Sequence, residues 1–136
     1  MSQLAVLRPD QIDSFEDNIR PFVTSACLTC NGRWTADHIL GFARKGIWQI
    51  WLVYDGDRIV FVGATEIVTF PTGLKSFAIR FGVGSGRKEW QHHIDRVLLW
   101  GKDLGCTIAE GNFRKGWRRV LPGWRHSHEF LERELT

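Results

Sequence analysis

Apolar positions keep a helical period through the first third of the chain and then switch to alternation. Between residues 10 and 30, Ile12, Phe15, Ile19, Phe22 and Val23 recur every three or four positions, which predicts a helix. Asp10 stands where a cap belongs, Pro21 is expected to kink or split the segment, and Asn31-Gly32 to end it. A second helix is predicted over about 35–45, with Thr35 as cap, Ile39, Leu40 and Ala43 on one face and Gly46 as stop. Residues 47–54 are β-branched and aromatic, so they read as a strand. Asp55-Gly56-Asp57 turns the chain into a second strand over 58–69, and Pro71-Thr72-Gly73 into a third over 74–83.

After Gly82-Val83-Gly84-Ser85-Gly86 the helical period returns. Trp90, Ile94, Val97, Leu98, Gly101 and Leu104 form one stripe, predicting a long helix from about 87 to 105, stopped by Gly105. A short strand over 106–110, a helix over roughly 113–121 ended by Pro122-Gly123, and a strand over 126–135 complete the pattern. The predicted order is α-α-β-β-β-α-β-α-β. A meander of three strands followed by β-α-β units implies an α/β domain with a mixed sheet flanked by helices. No repeat, low-complexity tract or linker divides the 136 residues, so 1–136 is expected to be one domain.

Composition narrows the setting. The start Met1-Ser2-Gln3-Leu4 lacks the basic and apolar regions of a signal peptide, and no apolar run approaches the ~18 residues of a membrane span. Three cysteines are an odd number, which favours reduced thiols inside a cell over a secreted disulfide framework. The expected location is therefore cytoplasmic. Net charge is only +3, but Arg114, Lys115, Arg118, Arg119 and Arg125 crowd into one stretch. Such a patch can hold phosphate on a cofactor or on nucleic acid. Phe113, Trp117, Val120 and Leu121 recur there at helical spacing, so the aromatics are expected in the core and the arginines in solvent.

The element order, with a glycine-rich turn between the third strand and the longest helix, resembles the core of the GCN5-related N-acetyltransferases (GNAT) over about residues 47–135. In that family this turn holds the pyrophosphate of acetyl-coenzyme A, in the pattern Gln/Arg-x-x-Gly-x-Gly/Ala. Here the register is Phe81-Gly82-Val83-Gly84-Ser85-Gly86, which matches both glycines and places Phe81 where the family has Gln or Arg. The resemblance implies that Gly84, Gly86 and the N–H groups of Ser85, Arg87 and Lys88 hold the pyrophosphate, as unpaired amides at a helix start favour an anion. The family's Asn-x-x-Ala-x-x-x-Tyr followed by Gly-Phe/Tyr matches at Asn112 and at Gly123-Trp124. Lys115 takes the place of the Ala and Arg119 that of the Tyr, which often acts as general acid. An arginine does not readily give up a proton, so chemistry that relies on that Tyr is lost. The resemblance puts Asn112 and Arg119 near the thioester or the pantetheine arm.

The run from Arg114 to His126, with Leu131-Glu132-Arg133-Glu134-Leu135, also looks like a signature of GNAT-like phage and prophage proteins, often encoded near virion structural genes. That implies acetyl-coenzyme A or other phage proteins as partners, and the host cytoplasm or the virion as location. Two readings follow: an acetyl-coenzyme A-dependent N-acetyltransferase with a degenerate site, or a non-catalytic virion or assembly protein on the same fold.

Remaining chemistry-bearing residues are weighed singly. Glu66, on the second sheet strand, is a candidate general base or a polar residue on a solvated face, and Glu110 faces the same choice. Cys27-x-x-Cys30 follows a helix instead of opening one and has no second pair, so it reads as two structural thiols. His126 and His128 would share a strand face but lack a further ligand, so no metal is expected, and His92-His93 lie on the polar flank of the long helix, expected in solvent. Tyr54, the sole tyrosine, should pack or pair beside its turn.

Overall fold

The computed structural model describes residues 1–113, 117, 119 and 121–135. Strand β1 (Gln3–Leu7) leads through a 3-10 turn at Pro9–Gln11 into helix α1 (Ile12–Cys27), and helix α2 (Ala36–Arg44) follows. Strands β2 (Trp48–Asp55), β3 (Arg58–Thr69) and β4 (Lys75–Gly84) form the meander. Helix α3 (Arg87–Trp90), a 3-10 turn at Gln91–His93, helix α4 (Ile94–Asp103) and strand β5 (Ile108–Gly111) come after it. The sheet runs β1-β2-β3-β4-β5, antiparallel throughout except for the parallel pair β4–β5. The predicted mixed sheet flanked by helices is therefore present, with its strands before and after the main helical region as parallel neighbours.

Each face of the sheet carries its own core. Ile12, Ile19 and Val23 of α1 and Ile39, Leu40 and Ala43 of α2 bury against Ile50, Leu52, Val62 and Ala64. Across the sheet, Trp51 and Phe77 pack with Val97, Leu98 and Trp100 of α4. Alternation along each strand divides these sets. The contact of α4 with β4 is close: a Cβ at Gly101 would lie 2.6 Å from the Phe77 ring, so only glycine lets helix and ring meet there.

Several predicted details change. The strand β1 was not expected, because its five residues include Gln3 and Ala5 and give a short pattern; it forms as an edge strand with Leu4 and Val6 turned to the α4 side. Asp10 does not cap α1. It sits in the 3-10 turn, paired with Arg8, and α1 starts at Ile12. Pro21 does not split α1, which runs unbroken to Cys27. Proline removes the hydrogen bond to the carbonyl four residues back, and both Asp17 and Pro21 face solvent, where water can serve that carbonyl.

The single long helix predicted over 87–105 is two helices joined by a 3-10 turn. The break lies between two pinned side chains, Trp90 stacked on Phe61 at 4.7 Å and His93 held by Ser2 at 3.0 Å; His93, expected in solvent, is buried there, and His92 stays exposed. The helix predicted over 113–121 falls largely on residues outside the described set, among them Arg114, Lys115, Gly116, Arg118 and Val120; Trp117 and Arg119 are described, both in 3-10 geometry. The strand predicted over 126–135 is absent: those residues have no ladder partner and are exposed. Two of them reach the α1–α2 turn, where Glu132 pairs with Arg33 at 2.7 Å and Phe130 sits under the Arg33 guanidinium. His126 and His128 therefore share no strand face.

Candidate functional site

The ladder between β4 and β5 is short. Only Ser76–Ile79 pair with Ile108–Gly111, whereas β4 continues to Gly84 against β3. Arg80 is an extra residue in β4, because Ala64 faces Phe81 while the next residue, Thr65, faces Ile79. Such a bulge bends and twists a strand and commonly ends its pairing. Past Arg80 the two parallel strands thus part, and β4 presents an unpaired edge among the described residues. Two aromatic rings close the α3 side of this gap. Phe113 lies on Gly111 at one lip, Trp117 lies on Gly82 at the other, and the rings meet at 5.8 Å. Trp117 continues to Trp90 and Phe113 to Trp124, so the two tryptophans expected in the core are half-buried in an aromatic row, with Arg119 and Arg125 exposed.

On the α1–α2 side one row of side chains crosses the sheet. Trp48 faces Glu66, Glu66 faces Ala78 and Ala78 faces Glu110, and partners in register project from the same face. The structure therefore brings the two carboxylates predicted as candidate bases onto one surface, on either side of a small alanine. Their surroundings differ. Glu66 Oε1 accepts from Trp48 Nε1 at 3.0 Å and from Arg80 Nε at 3.0 Å, and Arg80 also pairs through its terminal nitrogen. The Arg80 guanidinium lies 5.6 Å over the Trp48 ring, and Trp34 meets Trp48 edge-on at 5.2 Å. Glu66 is thus built into a fixed cluster. Among the described residues, Glu110 has neither a hydrogen bond nor an ion pair. Trp34, Trp48 and Arg80 were missed in the sequence. The register that aligns them and the bulge that frees Arg80 leave no local signature.

The turn predicted to hold phosphate is arranged differently from the expectation. Gly84 belongs to β4, and a Cβ there would lie 2.5 Å from the Val60 carbonyl oxygen and 2.9 Å from Phe61 Cα. Its lack of a side chain serves the approach of β3. The Ser85 amide donates to the Val60 carbonyl at 3.2 Å and so is not free for a ligand. Gly86 caps α3 in the left-handed conformation, φ 67°, which glycine adopts without strain. Arg87 and Lys88 follow in the first turn, where amides lack an intrahelical acceptor. The Glu89 carboxylate stands beside Gly86, 3.1 Å from where its Cβ would be, and faces Arg58 at 3.4 Å. A negative side chain at this helix start has a sequence signal, an acidic residue in the first turn. Asn112 is exposed just past β5, and Arg119 is exposed beyond the aromatic pair.

Tyr54 donates to Gln3 at 2.9 Å, as a pairing residue beside its turn. Among the described residues no group of His, Cys, Asp and Glu could hold a metal ion, and no helix is long and apolar enough to cross a membrane. A cavity of about 210 Å³ is lined by Val6, Pro9, Trp48 and Trp100 among others; of the candidate site it touches Trp48 but none of the turn residues.

No protein-family model and no curated protein matches this chain. Solved structures do. An aminoglycoside acetyltransferase from an uncultured soil metagenomic sample, in complex with sisomicin, aligns at a TM-score of 0.73 and 10% identity over 99% of this chain and 97% of that one. A predicted acetyltransferase with acetyl-CoA from Clostridium acetobutylicum aligns at 0.70 and 14% identity, over 98% and 96%. A GCN5-related N-acetyltransferase from Ralstonia eutropha aligns at 0.70 and 13% identity, over 98% and 99%. At these identities the likeness is one of fold, and the five-stranded, mostly antiparallel sheet flanked by helices is the GNAT fold.

Proposed function

We propose that this chain binds acetyl-coenzyme A at the gap between β4 and β5 and passes the acetyl group to an amine. The observation that carries the reading is the parting of two parallel strands at the Arg80 bulge, beside the row on the α1–α2 face that holds Glu66 and Glu110. The unpaired edge of β4 offers backbone groups to an extended ligand arm. Arg87 and Lys88, by side chain and by amide, would meet the pyrophosphate at the Gly86 turn, and Arg119 and Asn112 would line the far lip. Gly84 supports this turn through β3, and the Ser85 amide is left out of the set. The thioester supplies an activated acyl carbon. Glu110 would take the proton of the attacking amine, directly or through water, and Glu66 with Arg80 and Trp48 would form the fixed floor beneath it. No acid is required at Arg119, since a thiol of ordinary pKa, about 8.5, leaves readily as thiolate.

Titration with acetyl-coenzyme A by calorimetry tests the proposal. Saturable heat and a raised Tm are expected; neither at millimolar ligand would remove it. A second reading keeps the fold and drops the chemistry, as fold alone does not fix function. It is favoured by Glu89, a carboxylate placed beside the turn that would receive phosphate, and by the resemblance of the 114–126 run to phage proteins. That reading expects the protein in purified virions at fixed stoichiometry.

A further inference from the structure

We infer that Cys27 and Cys30 form a thiol–disulfide exchange pair, Cys30 the attacking sulfur and Cys27 the resolving one, whose reaction partner is a low-molecular-weight disulfide. This inference stands independently of the proposed acetyl transfer. Cys27 closes α1, and Cys30 N donates back to Cys27 O at 3.4 Å, forming one more turn. A turn closed over three residues keeps its end Cα atoms within about 7 Å, at the reach of a disulfide, about 4.4–6.8 Å. The Cys30 sulfur already lies against the Cys27 backbone, 3.2 Å from its carbonyl oxygen. Both are partly exposed, whereas Cys106 is buried on the other side of the sheet with Trp51 and Phe77.

The turn after α1 distinguishes the two sulfurs. Asn31 at φ 53° and Gly32 at φ 77° are both left-handed, and the chain curls round the Cys30 sulfur. Trp34 N points at Sγ at 3.5 Å, the one backbone amide among the described residues with a hydrogen bond to it. A hydrogen bond donated to the sulfur favours its charged form. The Cys30 thiol proton has two acceptors, Cys27 O and Trp34 O, both at 3.2 Å, and can serve one at a time. Burial pushes the Cys30 thiol up, but the backbone of the turn, Trp34 first, outweighs it and brings the thiol below its usual range. Burial also pushes Cys27 up, and the neighbouring Cys30 adds to it. Attack therefore begins at Cys30, with Cys27 protonated beside it. The sequence pointed to structural thiols because the pair follows a helix; here the Trp34 amide in the turn takes the part that a helix start plays elsewhere.

The exchange balances in two steps. The Cys30 thiolate attacks one sulfur of the small disulfide, whose S–S bond breaks and releases one thiolate. Cys27 then loses its proton to solvent, attacks Cys30 Sγ and expels the second thiolate. The protein gives up two electrons and two protons, and the small disulfide becomes two thiols. A disulfide sulfur has no S–H to donate, so the link from Cys30 to the Trp34 carbonyl is lost. Trp34 packs on Trp48, which donates to Glu66, so oxidation reaches the floor of the candidate site.

Full-length reduced protein is incubated with oxidised glutathione, then alkylated and weighed intact. Wild type and Cys106→Ser are expected to lose two hydrogens and to protect Cys27 and Cys30 from alkylation, with a shift in tryptophan fluorescence. Cys27→Ser should stop at a glutathione adduct on Cys30, and Cys30→Ser should lose the reaction. Brief alkylation of untreated wild type near pH 7 gives a readout that needs no variant, with Cys30 labelled before Cys27 and Cys106 last. Absence of the intrachain bond, a bond that uses Cys106, or equal labelling of Cys27 and Cys30 would overturn the inference.

Discussion

The two ends of β4 obey different rules. At its lower end Phe77 is 1% exposed, paired on both sides by β3 and β5 and pressed under Gly101 of α4. At its upper end, past the Arg80 bulge, the strand keeps β3 but loses β5, and its residues are glycines and half-buried side chains. One strand thus passes from closed core to open edge within a few residues. A closed ladder leaves no backbone group for a ligand, and an open one must find something to satisfy it. Stability should therefore concentrate below the bulge and ligand chemistry above it.

That division is broken or sharpened first by truncating its lower end. Phe77→Ala empties a site buried between sheet and α4 and should cost about 3–5 kcal/mol, read by urea denaturation. An equal loss from an alanine substitution at a half-buried side chain above the bulge would contradict the contrast. Next is Gly84→Ala, where the new Cβ meets Val60 and Phe61 backbone that cannot swing aside. Overpacking of that kind costs about 1–3 kcal/mol. The loss should appear in stability even without any ligand, since the glycine serves strand approach; a variant of unchanged Tm with weakened acetyl-coenzyme A binding would return Gly84 to a ligand-binding part.

The same division explains what could be read without coordinates. Helix α2, capped at Thr35 by its bond from the His38 amide, and the meander β2–β4 follow from local period and turn residues, which act over a few positions. The open half depends on partners far away in sequence. The 3-10 break at Gln91–His93 accompanies contacts to Phe61 and Ser2, and the tail over 126–135 has a strand's pattern but no strand beside it. Glu66 and Glu110 were visible as single acids. Their common row, and the capture of one of them by Arg80, required the register.

Glu89 tests the upper end more finely. Its carboxylate lies where an incoming phosphate would feel it, partnered by Arg58 on the surface. Glu89→Gln keeps the shape of the side chain and removes its charge. Exposed pairs of this type are worth at most about 1 kcal/mol, so Tm should barely move. Affinity for coenzyme A should rise about two- to fivefold, the equivalent of about 0.3–1 kcal/mol for one charge at a helix start. Unchanged affinity would place the phosphates away from the Gly86 turn.

The smallest expected effect lies behind that turn, at His93, which is 4% exposed. Ser2 Oγ gives its proton to Glu89 O at 2.6 Å, so it must accept from His93 Nε2 at 3.0 Å. Nδ1 is then the bare nitrogen, buried and without a partner among the described residues. A second proton would have to sit there. Burial, then the neighbouring His92 and Arg96, hold the His93 pKa below its usual value of 6.5. The unfolded chain accordingly binds this proton more readily than the folded one, and stability rises with pH wherever that is so. Its contribution is whole above pH 6.5 and declines as pH falls from there through the lower folded value. Denaturation midpoints at pH 7 and pH 5 should differ in that direction for wild type and differ less for His93→Gln, which retains a donor toward Ser2. A variant with the wild-type slope would assign the loss to other groups and leave the wall behind the turn indifferent to protons.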